Sequence, residues 1–347
     1  YSGLLSGTSI DPIEKKPLYH YHPGKSIFSV GFYGCNFSCP FCQNFRISQQ
    51  VIDGLEKVSP HQLVDQAVSR NSFAVAYTYS EPLVHYEYVI DSSKLASEKG
   101  LKNVLVTNGY INKKPASILL DSIDAVNVDL KSFRDDFYKD ELDGTLRPVL
   151  DFIKMASEKA HLEVTTLVIP EKNDSDSEIR RIAGFLAEIN PAIPLHLSCY
   201  YPTYKYDAKA TPVASVLHLA EIAREMLQYV YPGNVGAEAA HTRCPDCGHL
   251  VVEMDKAAGQ IPVEYEEIAP NTGMDPPDIG TDPPSIDTGD FDGSGVVDFS
   301  DFFLFADHFG GAAGNPNFDS LFDMDEDGEI GFSDFFLFAD RFGTVYR

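Results

Sequence analysis

The 347-residue chain contains no tryptophan, only 27 Lys and Arg against 52 Asp and Glu, and just six cysteines. It also lacks any apolar run approaching the roughly 18 residues that cross a bilayer. Each shortage excludes something. A formal charge of −25 opposes the counterion release on which binding to phosphate backbones depends, so nucleic acid is not an expected partner. Neither a membrane span nor a basic segment leading into an apolar export signal is found. The sequence opens on Tyr1 rather than Met, however, which weakens any inference about localisation from a missing leader. The chain is too long to be a disulfide-stapled miniature, and 44% apolar residues suffice for a sizeable core.

The acidity is uneven. Residues 271–347 hold 17 Asp and Glu against Arg341 and Arg347, a net of −15, which leaves −10 for the first 270 residues. Two bodies of different chemistry are implied. Residues 256–289 read as a connecting segment, and the stretch 269–289 has five prolines and neither Lys nor Arg, an extended linker. Beyond it FSDFFLFAD at 299–307 returns unchanged at 332–340, a 33-residue repeat that predicts a small paired domain over 290–347.

In the first body, β-branched and aromatic runs alternate with segments of helical period. Strands are predicted over 26–32, 73–79, 103–107, 124–130, 162–169 and 195–199. Helices are predicted near 60–70, 84–99, 113–120, 147–159, 175–189 and 212–228. Six βα units are too few for an eight-unit barrel, so the α/β fold is either a partial (β/α)6 barrel or an open doubly wound sheet. In both, sites gather at the carboxyl ends of strands.

Just after the first predicted strand, Cys35, Cys39 and Cys42 stand in a C-x3-C-x2-C spacing within GCNFSCPFCQN. Soft thiolates suit iron–sulfur clusters and zinc, and three of them leave one iron of a four-iron cluster open. A zinc site short of one ligand and disulfides in a secreted protein are the competing readings. The motif, with the aromatic Phe41 before the third cysteine, resembles the signature of the radical S-adenosylmethionine (SAM) enzymes, whose fold is a partial TIM-like barrel.

That resemblance implies that Cys35, Cys39 and Cys42 hold three irons of a four-iron four-sulfur cluster while SAM chelates the fourth, with Phe41 beside the adenine. Reductive cleavage of SAM would then yield a 5'-deoxyadenosyl radical that takes hydrogen from a substrate. A reductant such as a flavodoxin or ferredoxin is implied as partner, with a small-molecule or protein substrate. Tyr79-Ser80-Glu81-Pro82 resembles the family's G-G-E-P segment, with both glycines replaced, and Ser80 and Glu81 would meet the SAM ammonium. Asn108 follows the next strand within Thr107-Asn108-Gly109, which by itself is a turn signal. Asp129 and Lys131 resemble the D-x-K of glycyl-radical-activating enzymes and would contact the methionyl part, although such a pair is also a simple charge pair. Across about residues 1–255, DPIEKKPLYHYHPG, CQNFRISQ, YTYSEP, GLKNVLVTNGY, AVNVDLKSF and GNVGAEAAHTRCPDCG are similar to the radical SAM member of the AmmeMemoRadiSam system, related to pyruvate formate-lyase activating enzymes. Cys199 and Tyr201 stand where those relatives usually carry Arg and His.

Cys244 and Cys247 form a C-x-x-C knuckle within about 233–255, half of a tetrahedral zinc site. His241, His249, Cys199 or upstream residues are candidates for the other half, and a metal-free surface pair is the alternative.

In the acidic repeat, Asp290, Asp292, Ser294, Asp298 and Asp301 fall at positions 1, 3, 5, 9 and 12 of a twelve-residue loop. Gly295 takes the sharp turn, Val296 offers a backbone carbonyl, and Val297 is expected to pair with its twin across the two loops. The second copy places Asp323, Asp325, Asp327, Glu329 and Asp334 in register, with Gly331 at position 9. Two EF-hand-type calcium loops, each leading into an apolar helix, resemble a dockerin module, whose partner in that family is a cohesin. Calcium modules of this kind point outside the cell and an oxygen-sensitive cluster points to the cytoplasm, which is favoured. The reading is a radical SAM enzyme with a calcium-binding tail. A glycyl-radical activase is one alternative, and a calcium-dependent attachment protein with an idle barrel is another.

Overall fold

The computed structural model describes residues 3–50, 57–235, 241–245 and 247–252. In the C-terminal part it describes residues 289, 291, 297, 301, 304, 305, 308, 311, 312, 318–325, 327–330, 334, 337, 338 and 341. The chain divides into two compact units, Tyr1–Pro270 and Asn271–Arg347. Apart from Gly289, the segment read as a linker lies outside the described residues, as do Asp290, Asp292, Ser294, Val296 and Asp298.

The first unit is built on one eight-stranded sheet whose spatial order follows the sequence. Its strands are β1 (Leu5–Pro12), β2 (Ser26–Phe32), β3 (Ala74–Thr78), β4 (Lys102–Thr107), β5 (Ala125–Asp129), β6 (His161–Val168), β7 (Leu195–Cys199) and β8 (Val230–Gly233). β1 pairs antiparallel to β2, and every later neighbour pairs in parallel. The helices are α1 (Phe45–Ser48), α2 (Pro60–Ser69), α3 (Tyr86–Glu98), α4 (Lys113–Leu120), α5 (Asp135–Leu142), α6 (Leu146–Lys159), α7 (Asp176–Ile189) and α8 (Val213–Arg224).

The six βα units expected from the sequence run from β2 to α8. The sheet nevertheless exceeds six strands, because β1 and β8 add one at each edge. β1 (LSGTSIDP) is rich in small and polar residues, and β8 (VYPG) is four residues long, so neither presents the apolar run of a buried parallel strand. The acidic helix α5 (DDFYKDEL) was likewise not anticipated.

Alternation along the strands assigns the two faces. Phe28, Val30, Val75, Tyr77, Leu105, Val126, Val128 and Val164 pack with the apolar stripes of the helices in the main core. On the other face Ile27, Ala74, Ala76, Val104 and Ala125 are covered by Ile13 and Leu18 from the segment after β1. Helix entry is specified locally: Ser59 and Gln62 form a capping box ahead of α2, with Pro60 at its first turn, and Ser175 caps α7.

The C-terminal unit has a core of Phe291, Val297, Phe305, Phe322, Ile330 and Phe338. The repeat twins Phe305 and Phe338 stack with centroids 5.8 Å apart, and the position-8 twins Val297 and Ile330 are both fully buried. No described helix is long and apolar enough to cross a membrane.

Candidate active site

The chain leaves β2 at Phe32 and enters a loop that carries the three cysteines to α1. Gly34, at φ +92°, makes the first bend, and its N–H donates to Ile47 O of α1 (2.8 Å), closing the loop. Cys42 N–H donates to Cys39 O (3.3 Å) across the tight turn that separates them. Phe37, 2% exposed, anchors the loop between Tyr110 and Tyr138. Gly144 is the residue that lets it sit there, since a Cβ on Gly144 would fall 2.5 Å from the Phe37 ring.

All three cysteines are free thiols. As thiolates they are the soft ligands that suit an iron–sulfur cluster. Burial, then the charge of Glu81, raises the Cys35 thiol well above its ordinary range. Burial pushes the Cys39 thiol up to about 12 against the pull of the Lys131 ammonium. Metal binding at such thiols would release their protons as the thiolates form.

The ends of β3, β4 and β5 bring the other sequence-identified residues toward this loop. Tyr79 and Ser80 both hold left-handed backbone, at φ 43° and 61°. That conformation costs about 1 kcal/mol or more for a residue with a Cβ, and explains why glycine serves well at such a turn. Two contacts hold it: Phe32 N–H donates to Tyr79 O (3.2 Å), and Ser80 Oγ donates to Gly34 O. Glu81, 1% exposed, accepts from Leu83 N–H (3.0 Å) and Thr107 Oγ1 (2.7 Å) through Oε1, and from Asn108 N–H (2.8 Å) through Oε2. Burial drives its carboxyl up to about 7 in spite of those three donors. Glu81 thus ties the end of β3 to the end of β4.

Asn108 continues the chain of contacts. Its Nδ2 donates to Asn36 Oδ1 (2.7 Å) and lies 3.8 Å from Cys35 Sγ, while its Oδ1 accepts from Tyr110 N–H (2.8 Å). At the end of β5, Lys131 pairs with Asp129 at 2.9 Å. Burial opposes the Lys131 charge, but Asp129 and the neighbouring Cys39 and Cys42 hold its pKa above the ordinary value. Phe41, 3% exposed, packs against Phe137 and Tyr206. Cys199 is buried at the end of β7, and Tyr201 is 48% exposed.

Several residues at or beside this site were not singled out from sequence. Lys16, 1% exposed, donates 2.7 Å hydrogen bonds to Asp11 Oδ2 and to the Tyr79 hydroxyl. Burial pulls its pKa down to about 8; burial of Asp11 is outweighed by Lys16, which holds that carboxyl near 2. Asn36 and Ser48 also touch or neighbour the thiols. All are polar residues brought in by contacts distant in sequence or by a loop with no period. Only the motif stretches themselves could have signalled them.

Cys244 and Cys247 lie at a hairpin between β9 (Thr242–Arg243) and β10 (Leu250–Val252), closed by Cys244 N–H to His249 O (2.8 Å) and Gly248 N–H to Cys244 O (2.9 Å). Among the described residues Cys244 and Cys247 do not stand in a group of three or more His, Cys or carboxylate ligand atoms. In the C-terminal unit the carboxylates of Asp323, Asp325 and Asp327 do converge within 4.8 Å. Asp334 accepts from Asp325 N–H (3.0 Å), Asp301 accepts from Phe291 N–H, and Glu329 forms a bridge with Ala312.

A parallel α/β sheet with a triple-cysteine loop beyond β2, and acidic and amide side chains from the next three strand ends aimed at it, defines a metallocofactor enzyme of the strand-end type. Residues 29–185 match the radical SAM superfamily model. An uncharacterized protein of Methanocaldococcus jannaschii is 41% identical over 258 residues, covering 72% of this chain and 77% of that protein. The pyruvate formate-lyase-activating enzyme of Clostridium pasteurianum is 27% identical over 180 residues, 50% of this chain and 74% of that enzyme. A solved domain of the pyruvate-formate lyase-activating enzyme of Bacteroides vulgatus aligns with TM-score 0.42 at 20% identity, over 46% of this chain and 99% of that domain. The chain belongs to the radical SAM superfamily. It is a radical SAM enzyme related to the activating enzymes, and membership implies a four-iron four-sulfur cluster and SAM.

Proposed function

We propose that Cys35, Cys39 and Cys42 hold the cluster and that SAM lies across the strand ends, in a radical SAM enzyme of the AmmeMemoRadiSam type. The observation that carries this is the single network running Cys35–Asn108–Glu81–Thr107, with the Asp129–Lys131 pair beside Cys39 and Cys42. When bound, the cluster and SAM supply a 5'-deoxyadenosyl radical for hydrogen abstraction. The chain's part is to position them. Ser80 and Glu81 would meet the SAM ammonium, Asp129 and Lys131 its methionyl part, and Phe41 the adenine side, with Asn108 holding the loop. A flavodoxin- or ferredoxin-like protein would deliver the electron, in a reducing compartment. The substrate would be a small molecule or, as in the named activating enzyme, a protein.

Anaerobic reconstitution with iron, sulfide, dithionite and SAM tests the reading. The expected outcome is a brown chain near four irons that releases 5'-deoxyadenosine slowly without substrate, both lost in Cys39→Ala. A chain that binds only zinc and leaves SAM intact would sink it. Activation of a glycyl-radical protein is the alternative activity, favoured by the activating-enzyme relatives.

For the C-terminal unit we propose two EF-hand-type calcium loops in a dockerin-like arrangement over 290–347, supported by the converging Asp323, Asp325 and Asp327 and by the buried twins Val297 and Ile330. A cohesin-like protein is the partner class that this resemblance suggests. Zinc at Cys244 and Cys247 would need two further ligands, for which His241, His249, Cys199 and upstream residues are the candidates.

A further inference from the structure

The hydrogen bonds to the cysteine sulfurs lead one step beyond cluster binding, and the step rests on the cluster assignment above. Ser48, the last residue of α1, is 7% exposed, and its Oγ lies 3.2 Å from Cys42 Sγ. The neighbouring Gln49 fixes that hydroxyl. Its Nε2 donates to Phe37 O (2.9 Å), within the cysteine loop, and also to Ser48 Oγ (3.3 Å). Ser48 therefore accepts from Gln49 and has its own proton to give elsewhere. A thiolate bound to iron carries no proton, so in the loaded chain the contact can run only from Ser48 O–H to Cys42 Sγ.

The three sulfurs are compensated by different means. Cys35 Sγ accepts from Phe37 N–H at 3.4 Å and lies 3.8 Å from Asn108 Nδ2. Cys39 feels the Lys131 ammonium. At Cys42 the donor is a side-chain hydroxyl, which a single substitution removes without touching the backbone or the charge of the site.

We propose that Ser48, held by Gln49, is a positioning residue that donates to the Cys42 thiolate and raises the reduction potential of the cluster. Reduction adds one negative charge that spreads partly onto the sulfurs, so a donor aimed at a sulfur stabilises the reduced state more than the oxidised one. Burial of Ser48 strengthens the effect, because little water competes for the contact.

The test is a redox titration of the reconstituted full-length chain, followed by the electron paramagnetic resonance signal of the reduced cluster, with iron counted in each sample. Ser48→Ala should keep its iron but show a more negative potential. The ratio of reduced to oxidised cluster at one fixed potential should fall about tenfold, ~59 mV for a one-electron couple. Ser48→Thr, which keeps the hydroxyl, should return most of the shift, and Gln49→Leu should shift the potential the same way by less. A fully loaded Ser48→Ala chain with the wild-type potential overturns the proposal. Should Ser48→Ala fail to load, Gln49→Leu is read by the same criterion, and an unchanged potential there overturns it. A wild-type chain that takes up no iron overturns the cluster assignment and this inference together, whereas a loaded wild type indifferent to these substitutions overturns this inference alone.

Discussion

Glu163 is fully buried near the start of β6, the opposite end of the strand from the cysteines. It accepts from His196 Nε2 (2.7 Å), His161 Nε2 (2.9 Å) and His20 N–H (2.8 Å). Burial alone would raise its carboxyl, but these donors outweigh it and bring it to about 2 from an ordinary 4.5. A carboxylate whose folded value is depressed contributes stability that is present above its unfolded value and lost as the pH falls through its folded value. The contribution, roughly 3 kcal/mol, should therefore be intact above about pH 4.5 and gone near pH 2. Glu163→Gln should remove most of that acid-side dependence and lower neutral stability, read by denaturant unfolding at a series of pH values. A variant with the wild-type acid profile would refute the assignment. None of this was legible in sequence, where HLEVTTLV reads as an ordinary strand and two of the three partners come from residues 20 and 196. The cysteines, Glu81, Asn108, Asp129 and Lys131 could be singled out because each sits in a short motif at a strand end, where chain order and spatial order coincide.

At the scale of elements, the six βα units were readable because strand and helix alternate with clear changes of period. β1 was not, since its antiparallel partner and its covering segment, rather than its own hydropathy, make it a strand. Packing between a loop and a helix lead-in is equally silent in sequence, and Gly144 shows its consequence. An added Cβ would meet Phe37, which at 2% exposure has no room to yield, and overpacking of this kind costs about 1–3 kcal/mol. Gly144→Ala should lower Tm by several degrees and, because Phe37 lies between Cys35 and Cys39, reduce iron uptake on reconstitution. Gly184 in α7 is the matched control: its Cβ would find only Met226 Sδ at 3.7 Å. Alanine there should be neutral or stabilise by up to about 1 kcal/mol, from helix propensity alone. Equal losses from both substitutions would show that the Phe37 contact is not the cause.

At the scale of the whole molecule, charge and chemistry divide along the chain. The N-terminal unit holds the cysteine loop and its network, while residues 271–347 carry −15 of the −25 net charge around a core that includes Phe291, Val297, Phe305, Phe322, Ile330 and Phe338. Asp323, Asp325 and Asp327, with carboxylates within 4.8 Å, repel one another until a cation compensates them. Calcium binding the folded unit alone should add about 2.7 kcal/mol at a hundredfold excess over Kd. In the full chain, chelator should speed proteolysis within 271–347 and calcium should slow it, and Asp323→Ala with Asp290→Ala should abolish the difference. The rate of SAM cleavage should be the same in calcium and in chelator, because the stretch 269–289, with five prolines, no Lys or Arg and no hydrophobic period, reads as an extended linker. Protection in chelator equal to that in calcium would sink the calcium loops, and a large calcium effect on SAM cleavage would sink the independence of the two units.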